Sequence, residues 1–177
     1  MSGALVRPWR GVAPRIDATA WLAPGSVVVG DVEIGAGSSI WFGTIVRGDV
    51  NFVRIGRGTN IQDGSVVHVT RKRFGTVIGD GVLVGHMAMI HGCTIEAGAF
   101  VGMKACVMDG AVVAAGGMVA AGALVTPGKR VGSGELWAGT PARFVRRVSE
   151  AEAANMREAP PRYAALAAAY REAGIAG

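Results

Sequence analysis

Aliphatic residues recur at every sixth position of this chain, and no other feature restricts its fold as tightly. They stand at Ile16, Leu22, Val28, Ile34, Ile40 and Val46, again at Ile55, Ile61 and Val67, and again at Ile78, Val84 and Ile90. A last run follows at Ile95, Val101, Val107, Val113, Val119 and Val125. A period of six matches neither the 3.6 of an α-helix nor the 2 of a flat strand. It suits short strands separated by sharp corners, and glycine directly after Ile34, Ile55, Ile78, Val84 and Val101 makes such corners cheap. The composition agrees. Glycine accounts for 28 of 177 residues, against a usual share of roughly 7%, and half the chain is apolar while only 6% is aromatic. A narrow aliphatic core repeated many times is what such a chain can build.

Three hexads close one triangular coil, with faces designated A, B and C in order from Ile16. The register predicts six coils with three irregularities: three extra residues between Val46 and Ile55, five extra between Val67 and Ile78, and one residue fewer between Ile90 and Ile95. The insertions are expected to bulge as loops, where repeat proteins carry function. The expected fold class is therefore all-β, a parallel β-helix of hexapeptide repeats over residues 1–148, followed by a C-terminal α-helical segment over 149–177. Ser149 with Glu152 forms a capping-box pattern. Pro160-Pro161 is expected to split the helix, a second helix running from about Arg162 to Ala173. Ala164, Ala165, Leu166, Ala168 and Ala169 are its expected docking face, used to block an open end of the β-helix.

Charge and cysteine content narrow the function. The net charge is +5 and the pI about 9.9, but the basic residues are scattered apart from Arg71-Lys72-Arg73 and Arg143 to Arg147. That is a solvated basic face, and no nucleic-acid partner is expected. Cys93 and Cys106 are too few for a disulfide framework and lack C-x-x-C spacing. No apolar run approaches a signal peptide or the roughly 18 residues of a membrane span. A cytoplasmic protein with reduced thiols and no membrane partner is expected.

All three histidines, His68, His86 and His91, fall within one short stretch. Three imidazoles are the smallest set that holds a catalytic zinc-like ion and leaves a position open. His68 and His91 follow the inward residues Val67 and Ile90, so both point outward on face C, one coil apart. Neighbouring strands lie about 4.8 Å apart, close enough for two rings to share an ion. His86 is the second residue after Val84, around a corner on face B. A single histidine on a strand is more often just a hydrogen-bonded residue; three on adjoining faces point to a metal. The simplest completion brings His86 of a neighbouring subunit to face C in a closed trimer, giving three interfacial sites. Arg47 shares a column with His68, and Asp63 shares one with His86. Face-to-face contact would thus bring Arg47 near the partner subunit's Asp63, as an ion pair that fixes register. Asp49 either supports that pair or caps the turn Gly48–Phe52, and Gln62 is the candidate for touching a bound water.

Five segments then resemble one family: Arg47-Gly48-Asp49-Val50-Asn51, Asn60-Ile61-Gln62-Asp63-Gly64, Val67-His68-Val69, Gly85-His86 and Ile90-His91-Gly92-Cys93 are similar to motifs of the γ-class carbonic anhydrases. The segment Gly132 to Arg143 resembles that family's exit from the β-helix, so the resemblance covers roughly Val12 to Val148. It implies a left-handed β-helix, a homotrimer with intersubunit metal sites, and zinc, with iron or cobalt as the alternatives. His68 and His91 would come from one subunit and His86 from the next, and the substrates would be CO2 and bicarbonate. It further implies that Arg47 and Asp63 form the intersubunit pair, that Asp49 is their structural partner, and that Gln62 orients the metal-bound hydroxide. The chain departs from the prototype at Val50, where a glutamate is usual, and at Thr70 to Gly75, a short basic turn in place of an acidic proton-shuttling loop. Turnover is expected to be low without those glutamates, with Tyr163 the nearest substitute shuttle. The competing expectations are a hexapeptide acyl-CoA thioesterase or acyltransferase and a trimeric assembly protein merely stapled by metal.

Overall fold

In the computed structural model, which describes residues 3–175, the hexad residues stack in three columns. Ile16, Ile34, Ile55, Ile78, Ile95 and Val113 pair rung by rung on face A and continue to Val131. Leu22, Ile40, Ile61, Val84, Val101 and Val119 do the same on face B and continue to Trp137. Face C carries Val28, Val46, Val67, Ile90, Val107 and Val125, with Val6 added beneath Val28. The six expected coils therefore become seven, because Val6, Val131 and Trp137 extend the columns outside the span counted from Ile16. The result is a left-handed parallel β-helix. Ile40, Ile61, Ile90 and Ile95 are fully excluded from solvent in its axis. Each such side chain is worth about 1.5–3 kcal/mol when buried, so the stack of short rungs, not any single strand, holds the prism together.

The first insertion bulges as expected but stays within a strand: Gly48 pairs with Gly30 and Val53 with Val32, so Asp49 to Phe52 stand opposite Asp31 alone. Strand Ile45–Ile55 runs unbroken through it beside strand Val27–Ile34, and both turn the corner from face C to face A. Faces A and C thereby merge into one 12-stranded sheet, leaving face B as a separate 8-stranded one. Gly30, at φ 81°, permits the bend, since a Cβ there would overlap the Gly48 carbonyl. The three extra residues are absorbed as a bulge in strand Ile45–Ile55 alone, since its partner keeps the regular six-residue step from Val28 to Ile34. The second insertion does project, as a tight turn in which the Thr70 amide donates to the Phe74 carbonyl at 2.9 Å.

The C-terminal segment is one helix, Glu150–Glu172, and it passes through both prolines. Its start is as expected: the Ser149 amide donates to the Glu152 carboxylate at 2.8 Å, and Ser149 Oγ accepts from the Glu152 amide at 3.3 Å. The expected break at Pro160 does not occur, although an interior proline costs a helix about 3 kcal/mol. Packing offsets the loss. Met156, Ala159, Pro160 and Ala167 are buried, and Tyr163 and Tyr170 meet Trp41 edge-on at 5.3 and 5.7 Å between ring centres. The docking face is thus rotated from the expected alanine stripe, and Leu166 is 45% exposed. The helix lies along face B, against the strands at Trp21, Ser39, Asn60 and Leu83, rather than across an open end. No helix among the described residues is long and apolar enough to cross a membrane.

Candidate metal centre

The register that stacks Ile90 on Val67 also places His91 directly on His68. Their rings are tilted by 58° with centres 5.1 Å apart, and His68 Nδ1 lies 3.1 Å from His91 Nε2. Two nitrogens bound tetrahedrally to one zinc at about 2.0–2.1 Å would be about 3.3 Å apart. The pair is spaced as two ligands of one ion.

The outer nitrogens decide what the inner ones can do. His68 Nε2 faces Asp49 Oδ1 at 3.0 Å, and His91 Nδ1 faces Asp109 Oδ1 at 2.7 Å. Asp49 also pairs with Arg47, and Asp109 accepts from Thr70 Oγ1 at 2.6 Å. Burial works against the charge on Asp49, but hydrogen bonds from His68 and Arg47 outweigh it and hold the carboxyl below its ordinary range. Burial likewise opposes ionisation of Asp109, and Thr70 and His91 prevail in the same way. An ionised carboxylate only accepts, so each outer nitrogen is the N–H donor and each inner nitrogen of a neutral ring carries a lone pair. Two lone pairs 3.1 Å apart require a cation or an extra proton between them. The residues present fit a metal ion.

His86 is placed apart from this pair. Its Nδ1 lies 2.8 Å from Asp63 Oδ2 at a corner of face B, and both side chains are about two-fifths exposed. Every histidine thus meets a carboxylate through one ring nitrogen and has the other turned away, the pattern by which carboxylates orient metal-ligating imidazoles. Among the described residues of one chain, no three His, Cys, Asp or Glu side chains converge to hold an ion. His86 also lines a cavity of about 400 Å³ with Gln62, Leu83, Phe100, Met103 and Tyr163. Gln62 is buried there, its Nε2 donating to Asn60 Oδ1 at 3.0 Å. Burial, with the Asp63 charge, raises the Tyr163 hydroxyl above its ordinary pKa, which makes it a poorer proton donor.

The structure brings together Arg47, Asp49, His68 and His91, and separately Gln62, Asp63 and His86. Within one chain Arg47 is paired to Asp49 and Asp63 to His86. Sequence reasoning passed over Asp109 and Thr70. Asp109 lies one residue beyond Met108, the column mate of His91, and reaches back to the His91 ring from the next coil.

Comparison with known proteins follows the same direction. No family model matches the chain. It is 50% identical over 163 residues to Gamma carbonic anhydrase 1, mitochondrial, of Arabidopsis thaliana, which covers 89% of this chain and 59% of the relative. It is 41% identical over 152 residues to a carbonic anhydrase of Geobacillus kaustophilus, covering 86% and 83%. The chain spans about three-fifths of the length of the plant relatives it matches. Among solved structures, a hexapeptide transferase family protein from Anaplasma phagocytophilum superposes with a TM-score of 0.90 at 48% identity, covering 94% of this chain and 98% of the other. With its hexad columns, its three carboxylate-held histidines and these relatives, the chain belongs to the γ-class carbonic anhydrase family.

Proposed function

We propose that the chain is a zinc-dependent carbonic anhydrase, interconverting CO2 and bicarbonate at sites shared between the subunits of a homotrimer. The observation that carries this reading is the pair of inner nitrogens on His68 and His91, aimed at one point with only two ligands supplied by the chain. The partner's His86 supplies the third through the ring nitrogen not engaged by Asp63. Imidazole donors at tetrahedral spacing suit zinc, and iron or cobalt share the preference. When bound, the ion supplies the Lewis acidity that lowers a water's pKa from 15.7 to about 7.

The chain's own residues do the rest. Asp49 and Asp109 hold the imidazole N–H groups on face C, and Asp63 holds that of His86. Gln62, buried beside His86, orients the attacking oxygen, and the apolar wall of Leu83, Phe100 and Met103 admits a small neutral molecule. Arg47 lies at the rim, 45% exposed, where it reaches the partner subunit's Asp63. The trimer itself is supported by a bare face. The helix covers face B, whereas face C presents an outward column of Leu5, Val27, Ile45, Val66, Met89, Cys106 and Leu124. Such an apolar stripe beside half a ligand set is an interface waiting for its complement.

Stopped-flow CO2 hydration on protein purified without oxygen and loaded with zinc or iron tests the activity, with His86→Ala alongside. Mixing His86→Ala and His91→Ala chains tests the sharing. Neither variant alone forms a complete site, but in randomly mixed trimers about a quarter of interfaces combine an intact face C with an intact His86. Recovery of that fraction of zinc and activity is expected. A zinc-loaded, fully active His86→Ala protein would sink the shared site.

One observation favours a second reading: His86 paired with Asp63 has the form of a general base, as an acyl-CoA thioesterase or acyltransferase needs. Activity on acyl thioesters that persists after chelation would select it. A trimer that dissociates on chelation, with no CO2 hydration at any pH, would leave the metal a purely structural staple.

A further inference from the structure

We propose that Asp109, held by Thr70, is the positioning residue for His91: it fixes the ring as the Nδ1–H tautomer and turns Nε2 toward His68. The inference rests on the metal-site reading above and gives the short basic turn a task.

Both oxygens of Asp109 are engaged, Oδ1 by His91 Nδ1 at 2.7 Å and Oδ2 by Thr70 Oγ1 at 2.6 Å. A carboxylate pinned through one oxygen presents the other in a single direction, and the imidazole N–H must meet it there. Thr70 is itself anchored. Its amide donates to the Phe74 carbonyl at 2.9 Å, closing the turn, and its carbonyl accepts from Asn51 Nδ2 at 3.1 Å. Gly92, at φ 58°, leaves the space that Asp109 occupies, since a Cβ there would overlap Oδ1. At the far end of the turn, Thr76 Oγ1 donates to the His68 carbonyl at 2.5 Å and accepts from the Gly92 amide at 2.9 Å. The turn therefore clips both ligand strands. Thr76 ties their backbones together and Thr70 aims the acid that orients one of the rings. Removing residues from this turn, or adding an acidic stretch to it, would move Thr70 away from Asp109.

The test reads the ring directly. Protein labelled with ¹⁵N-histidine has only three imidazoles to assign, and long-range ¹H–¹⁵N correlation shows which nitrogen carries the proton, both as purified and after chelation. Wild-type His91 is expected to be protonated at Nδ1, and Asp109→Ala should shift it toward Nε2. Zinc affinity, measured by competition with a chelator, should fall about 10–100-fold in Asp109→Ala. Thr70→Val should lose a smaller factor, which Thr70→Ser restores. A tautomer unchanged after chelation, or an unchanged affinity, in a folded Asp109→Ala protein overturns the proposal. Should that variant fail to fold, the isosteric Asp109→Asn carries the affinity comparison, and a wild-type His91 protonated at Nε2 overturns the proposal alone. If wild type binds no zinc, the metal reading fails, while the tautomer of His91 still decides this inference.

Discussion

His68 Nδ1 and His91 Nε2 stand 3.1 Å apart, with a carboxylate behind each ring. Two lone pairs held that close repel each other until a cation enters. Zinc should therefore stabilise the protein by mass action, about 2.7 kcal/mol when free zinc is 100 times its dissociation constant. Differential scanning fluorimetry should show Tm rising with added zinc and falling with a chelator. His91→Ala should abolish both shifts, and a zinc response retained in that variant would show that the ion binds elsewhere.

The two cysteines should report on folding and assembly separately. Burial pushes the Cys93 thiol up to about 12 and raises Cys106 less far. A thiol whose folded pKa is raised contributes stability below its ordinary value of about 8.5, and loses it as pH climbs toward the folded value. Near pH 8 Cys93 should resist a disulfide reagent until denaturant is added. Cys106 lies in the outward column of face C, so in the proposed trimer it should react slowly, and quickly once subunits separate. Rapid labelling of Cys106 in an intact trimer would place the interface on another face.

The prolines in the helix offer a stability test. Pro161 is exposed while Pro160 is buried. Pro161→Ala should restore a helical hydrogen bond at little loss of packing and stabilise the protein by about 1–3 kcal/mol. Pro160→Ala should gain less, because it gives up packing. Urea unfolding midpoints compare the two, and an equal gain would mean the buried ring contributes nothing.

Acid should loosen the same helix from its first turn. Arg146 and Ser149 hold the Glu152 carboxyl down to about 2, well below its ordinary range. The contribution is whole above the unfolded carboxyl pKa near 4.3. It fades as pH falls from there through about 2. Helical circular dichroism should decline over that window, and Glu152→Gln should flatten the decline. The same acid limb in both proteins would assign the loss to other groups.

How much of this was legible in the sequence depends on what the hexads could specify. Inward residues such as Ile61 and Ile90, and the stacking of His91 on His68, follow from counting, because each rung is pinned by the one below. The count did not show that the extra residues after Gly48 would stay within one strand as a bulge, or that aromatic packing on Trp41 would carry a helix through Pro160 and Pro161. Asp109 escaped notice because its two partners, His91 in the neighbouring coil and Thr70 in the inserted turn, both lie far from it in sequence. Local rules describe the rungs well, but contacts made across a corner depend on the coil as a whole.

The strands that carry His68 and His91 occupy the fourth and fifth of the seven rungs on face C. In a solenoid each coil leans only on its neighbours, so unravelling starts at an end and must travel inward. At least two coils would have to come apart on either side before His68 or His91 lost its support. Amide exchange should therefore be slowest around Val67 and Ile90 and quicken toward both termini. A molecule frayed at its ends would still keep its chemistry intact in the middle.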